Sequence, residues 1–337
     1  MEIAIALSGR IYQSARLTAG VFFLVAVLGG CAALVPQTEA LRHERPAGLA
    51  DKNELEQVPF FPQKDYQCGP AALATVLVSQ RVDVTPDELV DKVYLPERHG
   101  SLQVEMLAAA RRYGLVSYRL APRFEDLLRE VAAGLPVIVL QNYGVWPFDI
   151  WHYAVVAGYD YAKGELVLRS GEKRRLTIPF AVFEYTWKDS GYWAMVAMRP
   201  DRLPASAAES PYLAAIAATE RVDAHAAIMA YETFLGRWPD NLVAVLGLAN
   251  SHYALGELRQ AEATLRPAAK RHPESVAVLN NLAQTLSDEG KNVEARALIE
   301  RAVALGGPLA GTAEETRTLI LRRAAAAKPA GAAAKSD

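Results

Sequence analysis

Residues 207–307 repeat themselves. Pro239 returns as Pro273, Leu248-Ala249 as Leu282-Ala283, Gly256 as Gly290, Ala261 as Ala295 and Ala268 as Ala302, each 34 residues later. A period of that length holds a pair of helices, and small residues recurring at fixed places in it mark where helices cross at close range. Pro239-Asp240 and Pro273-Glu274 open the units. A degenerate earlier copy fits 207–240, with Ala227, Phe234 and Pro239 in the closing positions. Two clear repeats and one partial repeat are enough to stack, and no strand pattern competes with them. After Gly307 the chain becomes Ala-, Arg- and Thr-rich. This predicts a capping helix to Ala327 and a disordered tail within 308–337.

A chain of 337 residues has room for a second domain beside the repeats. It is placed at 57–200. The pattern predicts helices over Tyr66–Gln80, Thr85–Val93 (entered through Thr-Pro), Ser101–Tyr113 and Arg123–Ala133. Strands follow at 135–142, 152–160, 164–170 and 192–198. Helices first and an antiparallel sheet afterwards give an α+β domain with segregated layers, followed by an all-α repeat domain. Residues 36–56 are polar and punctuated by proline, so 31–56 reads as a tether.

The first 30 residues differ from the rest. Arg10 and Arg16 precede an apolar stretch with no charge before Glu39, the layout of an export signal. The strongly apolar part, Val21–Leu28, is short for a membrane-spanning helix. "LGGC" at 28–31 resembles a bacterial lipoprotein box. That resemblance implies a lipidated Cys31 as the first mature residue and, with Ala32 behind it, transfer to the periplasmic face of the outer membrane of a Gram-negative bacterium. A simply secreted protein, an uncleaved anchor and a cytosolic protein with an accidental apolar start stay open as rivals.

The chain has two cysteines, Cys31 and Cys68. With Cys31 lipidated, Cys68 is a lone thiol in an exported protein, where cysteines usually pair. A Cys31–Cys68 disulfide is the alternative. Cys68 sits in "QKDYQCGPAALATVL", where the helix is about to begin. The positive end of a helix favours the thiolate, the nucleophilic form, and Gly69 leaves room for a substrate backbone. Packing as a buried structural cysteine is the bland reading. His152, opening the strand "HYAVVAGYD", is the candidate base that takes the thiol proton and returns it to the leaving amine. His99, in a loop, is the rival. Gln63 carries the amide that, with the Cys68 N–H, an oxyanion hole requires. Tyr143, Trp146, Phe148 and Trp151 crowd the loop before His152, and at least one of them is expected to wall a substrate groove.

Gln63 with "CGPAAL", followed by "GLPVIVLQN" and "HYAVVAGYD", resembles the bacteriocin-leader-processing (double-glycine) cysteine peptidases and their papain-like relatives. The resemblance implies Cys68 as nucleophile, His152 as base and Gln63 in the oxyanion hole. The 34-residue units resemble tetratricopeptide repeats. Lipoprotein box, peptidase domain and repeats together resemble a proteobacterial lipoprotein subgroup of that class. Relatives orient the histidine with an acidic or amide residue on the next strand. Here Ser170 occupies that neighbourhood and Asn142 ends the preceding strand, so either is the candidate, while Asp160 reads as a turn residue.

The expected activity is therefore thiol-dependent peptide hydrolysis, with a peptide or protein substrate recruited by the repeats; acyl transfer at the same site stays open. The alternative is a non-catalytic adaptor lipoprotein whose repeats hold a protein partner. A net charge of −2 gives no footing for nucleic acid. One usable cysteine and scattered histidines show no metal-ligand spacing, and no phosphate-cradling glycine loop is present, so no cofactor is expected.

Overall fold

The structure, a computed structural model, describes residues 34–63, 67–145 and 147–326. The export signal, Cys31, Tyr66, Trp146 and the tail beyond 326 lie outside the described residues. Contacts divide the chain into two units, 1–106 with 119–196 and 107–118 with 197–337. Residues 107–118, within the first expected domain, group with the repeats in this division. Tyr118 packs edge-on against Tyr212, ring centroids 5.6 Å apart, and its hydroxyl accepts from the Ala208 N–H.

In chain order the first part holds α1 (Pro36–His43), β1 (Lys52–Glu54), α2 (Cys68–Ser79), α3 (Pro86–Val93), β2 (Tyr94–Leu95), β3 (Gly100–Ser101), α4 (Gln103–Arg111), β4 (Val116–Arg119) and α5 (Phe124–Ala132). Then come β5 (Val137–Asn142), β6 (Trp151–Asp160), β7 (Glu165–Ser170), β8 (Lys173–Pro179), α6 (Phe180–Trp187) and β9 (Ala194–Met198). Within the first unit the strands run β9-β5-β6-β7-β8, with β1 paired to the far end of β6. The α+β layering holds, helices first and antiparallel sheet after. Thr85 starts α3 as its sequence predicts, in a reciprocal capping box with Glu88.

Residues 36–56 are not a tether. Glu184 accepts the free N–H groups of Gln37 and Thr38 at 2.9 and 2.5 Å, so the start of α1 is fixed to α6. Thr38, Leu41, Leu49 and Leu55 are buried, and β1 adds to the sheet. A few well-placed apolar residues dock this segment although its average composition is polar. β8 and α6 are further elements absent from the sequence reading. The helix expected from Ser101 begins at Gln103, because Gly100 and Ser101 form β3.

The second unit continues with α7 (Glu209–Glu220), α8 (Ala224–Arg237), α9 (Leu242–Ala254), α10 (Leu258–Arg271), α11 (Val276–Asp288), α12 (Asn292–Leu305) and α13 (Ala310–Ala326). Asn241 and Ser275, 34 residues apart, cap α9 and α11 with their side chains. Gly256 and Gly290 turn the chain between paired helices at φ of 75° and 82°, where a side chain would strain. The recurring alanines Ala261, Ala268, Ala295 and Ala302 are fully buried. α13 buries Ala313 and Ile320 in the core of the repeats.

Candidate active site

Cys68 is the first residue of α2, whose next turns, Ala71 to Leu77, are buried. Gly69 has a different duty from the one its sequence context gives it. A Cβ there would come within 2.2 Å of Ser101 Oγ and 2.6 Å of Ser101 Cβ, so the glycine lets β3 press against the start of α2. The space it preserves belongs to the protein, not to a substrate.

The thiol of Cys68 faces two opposing influences. The N–H groups of Tyr153, Gly69 and Cys68 itself lean toward the sulfur and favour the thiolate, as a helix tip should. Burial outweighs them and pushes the thiol above its ordinary range. The depressed pKa expected from the helix end is therefore not what the structure gives. Cys68 is a free cysteine.

His152 lies on β6 opposite Gln141 of β5. Its Nε2 is 2.8 Å from Ser170 Oγ at the end of β7, next to an irregularity in the β7–β8 pairing. With Nε2 engaged there, Nδ1 is the nitrogen left to handle a proton. Burial lowers the imidazole to about 4, so the ring is neutral at physiological pH. Tyr143 stacks on it, ring centroids 5.2 Å apart at 27°. Burial pushes the Tyr143 phenol up, a hydrogen bond with Ser170 pulls it down, and charge on Cys68 adds a smaller upward push. The Tyr143 hydroxyl donates to Gln141 Oε1, and Gln141 Nε2 donates to Thr186.

Asn142, the other candidate for orienting His152, is engaged elsewhere. Its Oδ1 accepts from Gly144 N and Ile150 N, and its Nδ2 donates to Asp149. It shapes the loop between β5 and β6, and Ser170 is the residue on the imidazole. Gln63 is clamped from both ends. Nε2 donates one hydrogen to the Tyr153 carbonyl at 3.2 Å, Oε1 accepts from Gly171 N at 3.0 Å, and among the described residues no other bond takes the second amide hydrogen. Asp160 is the last residue of β6, and its Oδ1 accepts from Lys163 N in the turn that follows.

Gln63, Cys68 and His152 line one cleft of about 1010 Å³, in the range of small-ligand and peptide sites. One wall is Arg98 to Gln103, which includes His99; the other includes Asp149, Ile150, Trp151 and Asp189. His99 is thus a wall residue, held at φ 47° after the turn Pro96–Arg98. The loop at the rim folds on itself through Tyr143 N to Ile150 O and Phe148 N to Val145 O, leaving Val145 and Phe148 72 % and 75 % exposed. The sequence reading grouped Tyr143 and Phe148 as one patch, but they separate in space, Tyr143 onto His152 and Phe148 outward. Ser101 and the Asp149–Asp189 wall carry no motif that would have singled them out. Among the described residues no group of three or more His, Cys, Asp or Glu side chains is placed to hold a metal ion.

Residues 55–195 match the Peptidase_C39 like family, and residues 215–275 and 246–310 match tetratricopeptide-repeat families. An uncharacterized protein of Methanothermobacter thermautotrophicus is 29 % identical over 128 residues, 38 % of this chain and 81 % of its own. Two solved structures are similar. One, a C39-like peptidase from Bacillus anthracis, has 18 % identity and a TM-score of 0.37, covering 44 % of this chain and 98 % of that one. The other is a double glycine motif protease from an AMS/PCAT transporter, in complex with the leader peptide, with 23 % identity and a TM-score of 0.34 over 42 % and 91 %. The chain carries a C39-like cysteine-peptidase domain fused to tetratricopeptide repeats, a protein-interaction module.

Proposed function

We propose that the chain hydrolyses peptide bonds with Cys68 as nucleophile and His152 as base. The observation that carries this reading is a cleft lined by Cys68, His152 and Gln63, with Ser170 holding the far nitrogen of the imidazole. Because burial disfavours charge on both groups, the resting pair is thiol and neutral imidazole. Nδ1 takes the thiol proton as sulfur attacks the scissile carbonyl carbon, and the carbonyl oxygen becomes the oxyanion. The Cys68 N–H and the second Gln63 amide hydrogen receive it. Collapse expels the amine, which takes the proton from imidazolium, and water then hydrolyses the thioester with His152 as base. Ser170 and Tyr143 are positioning residues for His152.

In this reading the repeats recruit the protein or peptide that is cut. The same reading has the mature protein lipid-anchored through Cys31 at the periplasmic face of the outer membrane. The test is incubation of the full chain with a mixed peptide pool and sequencing of new termini. Cys68→Ala is expected to abolish cleavage and His152→Ala to lower it by about 10²–10⁴-fold. Cleavage that survives Cys68→Ala overturns Cys68 as the nucleophile, and a native chain that cuts nothing in the pool leaves an adaptor built on a peptidase-like base.

A further inference from the structure

Helix α6 is turned inside out for the surface of a water-soluble domain. Such a helix normally keeps its charges outside. The one charged residue of α6, Glu184, is fully buried, while Val182 and Tyr185, one turn apart, are each 49 % exposed. Phe183 and Trp187 fill the inner side against Phe124. Just past the helix, Lys188 lays its ammonium over the Tyr185 ring, 4.2 Å from the centroid.

Glu184 has a definite task, since its carboxylate holds the first N–H groups of α1. Gln37 adds a second fastening, donating to the Pro122 carbonyl and accepting from Phe124 N. The beginning of α1 is therefore fixed beside α6, with Val35 buried and Leu34 48 % exposed. Cys31 lies three residues before Leu34. Three residues reach at most about 11 Å. An acyl anchor on Cys31 thus brings the lipid surface to α6 with almost no slack.

We propose that Leu34, Val182, Tyr185 and Lys188 form a membrane-docking face that seats the peptidase domain on the bilayer at its own anchor. Apolar side chains enter the acyl boundary, the tyrosine sits at headgroup level, and the lysine reaches anionic phosphates. The proposal rests on the lipid-anchored reading above and adds to it a fixed orientation. A long polar tether would have left the domain free to tumble; the docked α1 removes that freedom.

The test uses the lipidated full chain in vesicles of phosphatidylethanolamine and phosphatidylglycerol. A fluorescent label is placed through Val182→Cys in a Cys68→Ser background, and compared with Val293→Cys in the repeats, a position 90 % exposed. The label at 182 is expected to be several-fold less accessible to aqueous iodide than that at 293, and to be quenched by nitroxide-bearing lipid. Equal iodide access at both sites in vesicle-bound protein overturns the docking face and leaves the anchor standing. A protein that carries no lipid on Cys31 and stays off vesicles overturns the anchor, and the docking face with it. Equal shielding at 182 in lipid-free Cys31→Ser protein overturns the proposal differently, because the chain's own N-terminal segment or a second copy then covers α6.

Discussion

The repeats and the cleft are held together over very different distances along the chain. In the repeats each helix packs on its sequence neighbours, and the side-chain bonds between units span about one period. Asn281 donates to Asn250, Arg266 binds Glu294, and Lys291 binds Glu262, separations of 31, 28 and 29 residues. In the cleft, Gln63 is bonded to residues 90 and 108 positions away, and Tyr153 donates its hydroxyl to the Ser101 carbonyl 52 positions away. Damage to the repeats should therefore stay local, in the manner of a one-dimensional stack. Damage to the cleft should be felt wherever its distant parts meet.

Gln63 gives the sharpest contrast, and after loss of Cys68 or His152 the largest effect. Gln63→Ala removes an oxyanion donor and unclamps β6 from the turn at Gly171. The expected loss is about 10²–10³-fold in kcat, on the order of 3 kcal/mol. Gln63→Glu keeps the shape but aims a carboxylate at both the Tyr153 carbonyl and the oxyanion, and should be no better. Steady-state rates on a peptide found in the cleavage screen decide it. A variant with full kcat would show that Gln63 only fastens the fold.

His152 links the cleft to stability through pH. Its imidazole titrates at about 4 in the fold and near 6.5 when unfolded. The unfolded chain thus binds the extra proton between those values, and stability falls as pH drops from about 6.5 toward 4. The full shift corresponds to at most about 3 kcal/mol. His152→Gln should flatten that part of the stability curve, measured by urea melts at stepped pH. Curves that stay parallel from pH 7 to 4 would contradict the buried neutral ring.

The repeats supply the matching structural test. Gly247 lies where Tyr231 crosses α9, and an added Cβ would come within 2.3 Å of the ring. Gly247→Ala is expected to cost about 1–3 kcal/mol by forcing Tyr231 off its place. Thermal melts should show the loss, while the rate of peptide cleavage per folded molecule stays unchanged. A parallel loss of cleavage would mean the two regions are not separable as described.

What the sequence reveals of each region follows the same division. The repeats are legible because their constraints recur. Asn241 and Ser275 cap, Gly256 and Gly290 turn, and buried alanines return at one spacing, so the pattern announces the contacts. Cys68, His152 and Gln63 are legible through their local motifs, and all three reach one cleft. The docking of α1 is not legible, because it depends on Glu184, a residue about 147 positions later in an apolar stretch with no helical period. The thiol's raised pKa is hidden for a similar reason. The helix tip is visible in "CGPAAL", but the burial that outweighs it arises only once the chain has folded around the thiol.

Ser170 is the smallest of these effects and separates positioning from charge. A hydroxyl on Nε2 fixes the ring but brings no negative charge, so it does nothing to offset the burial that keeps His152 neutral. Ser170→Ala should therefore cost about 1 kcal/mol, several-fold in kcat/KM, by freeing the ring. The acid limb of the pH–rate profile should not move, because no charge has changed. Ser170→Asp places a carboxylate on the same nitrogen. It favours imidazolium, so His152 should titrate above about 4 and the acid limb should move to higher pH. If the alanine variant shifts the limb as the aspartate variant does, the hydroxyl acts on the proton itself, and Ser170 belongs with His152 in the chemistry rather than behind it.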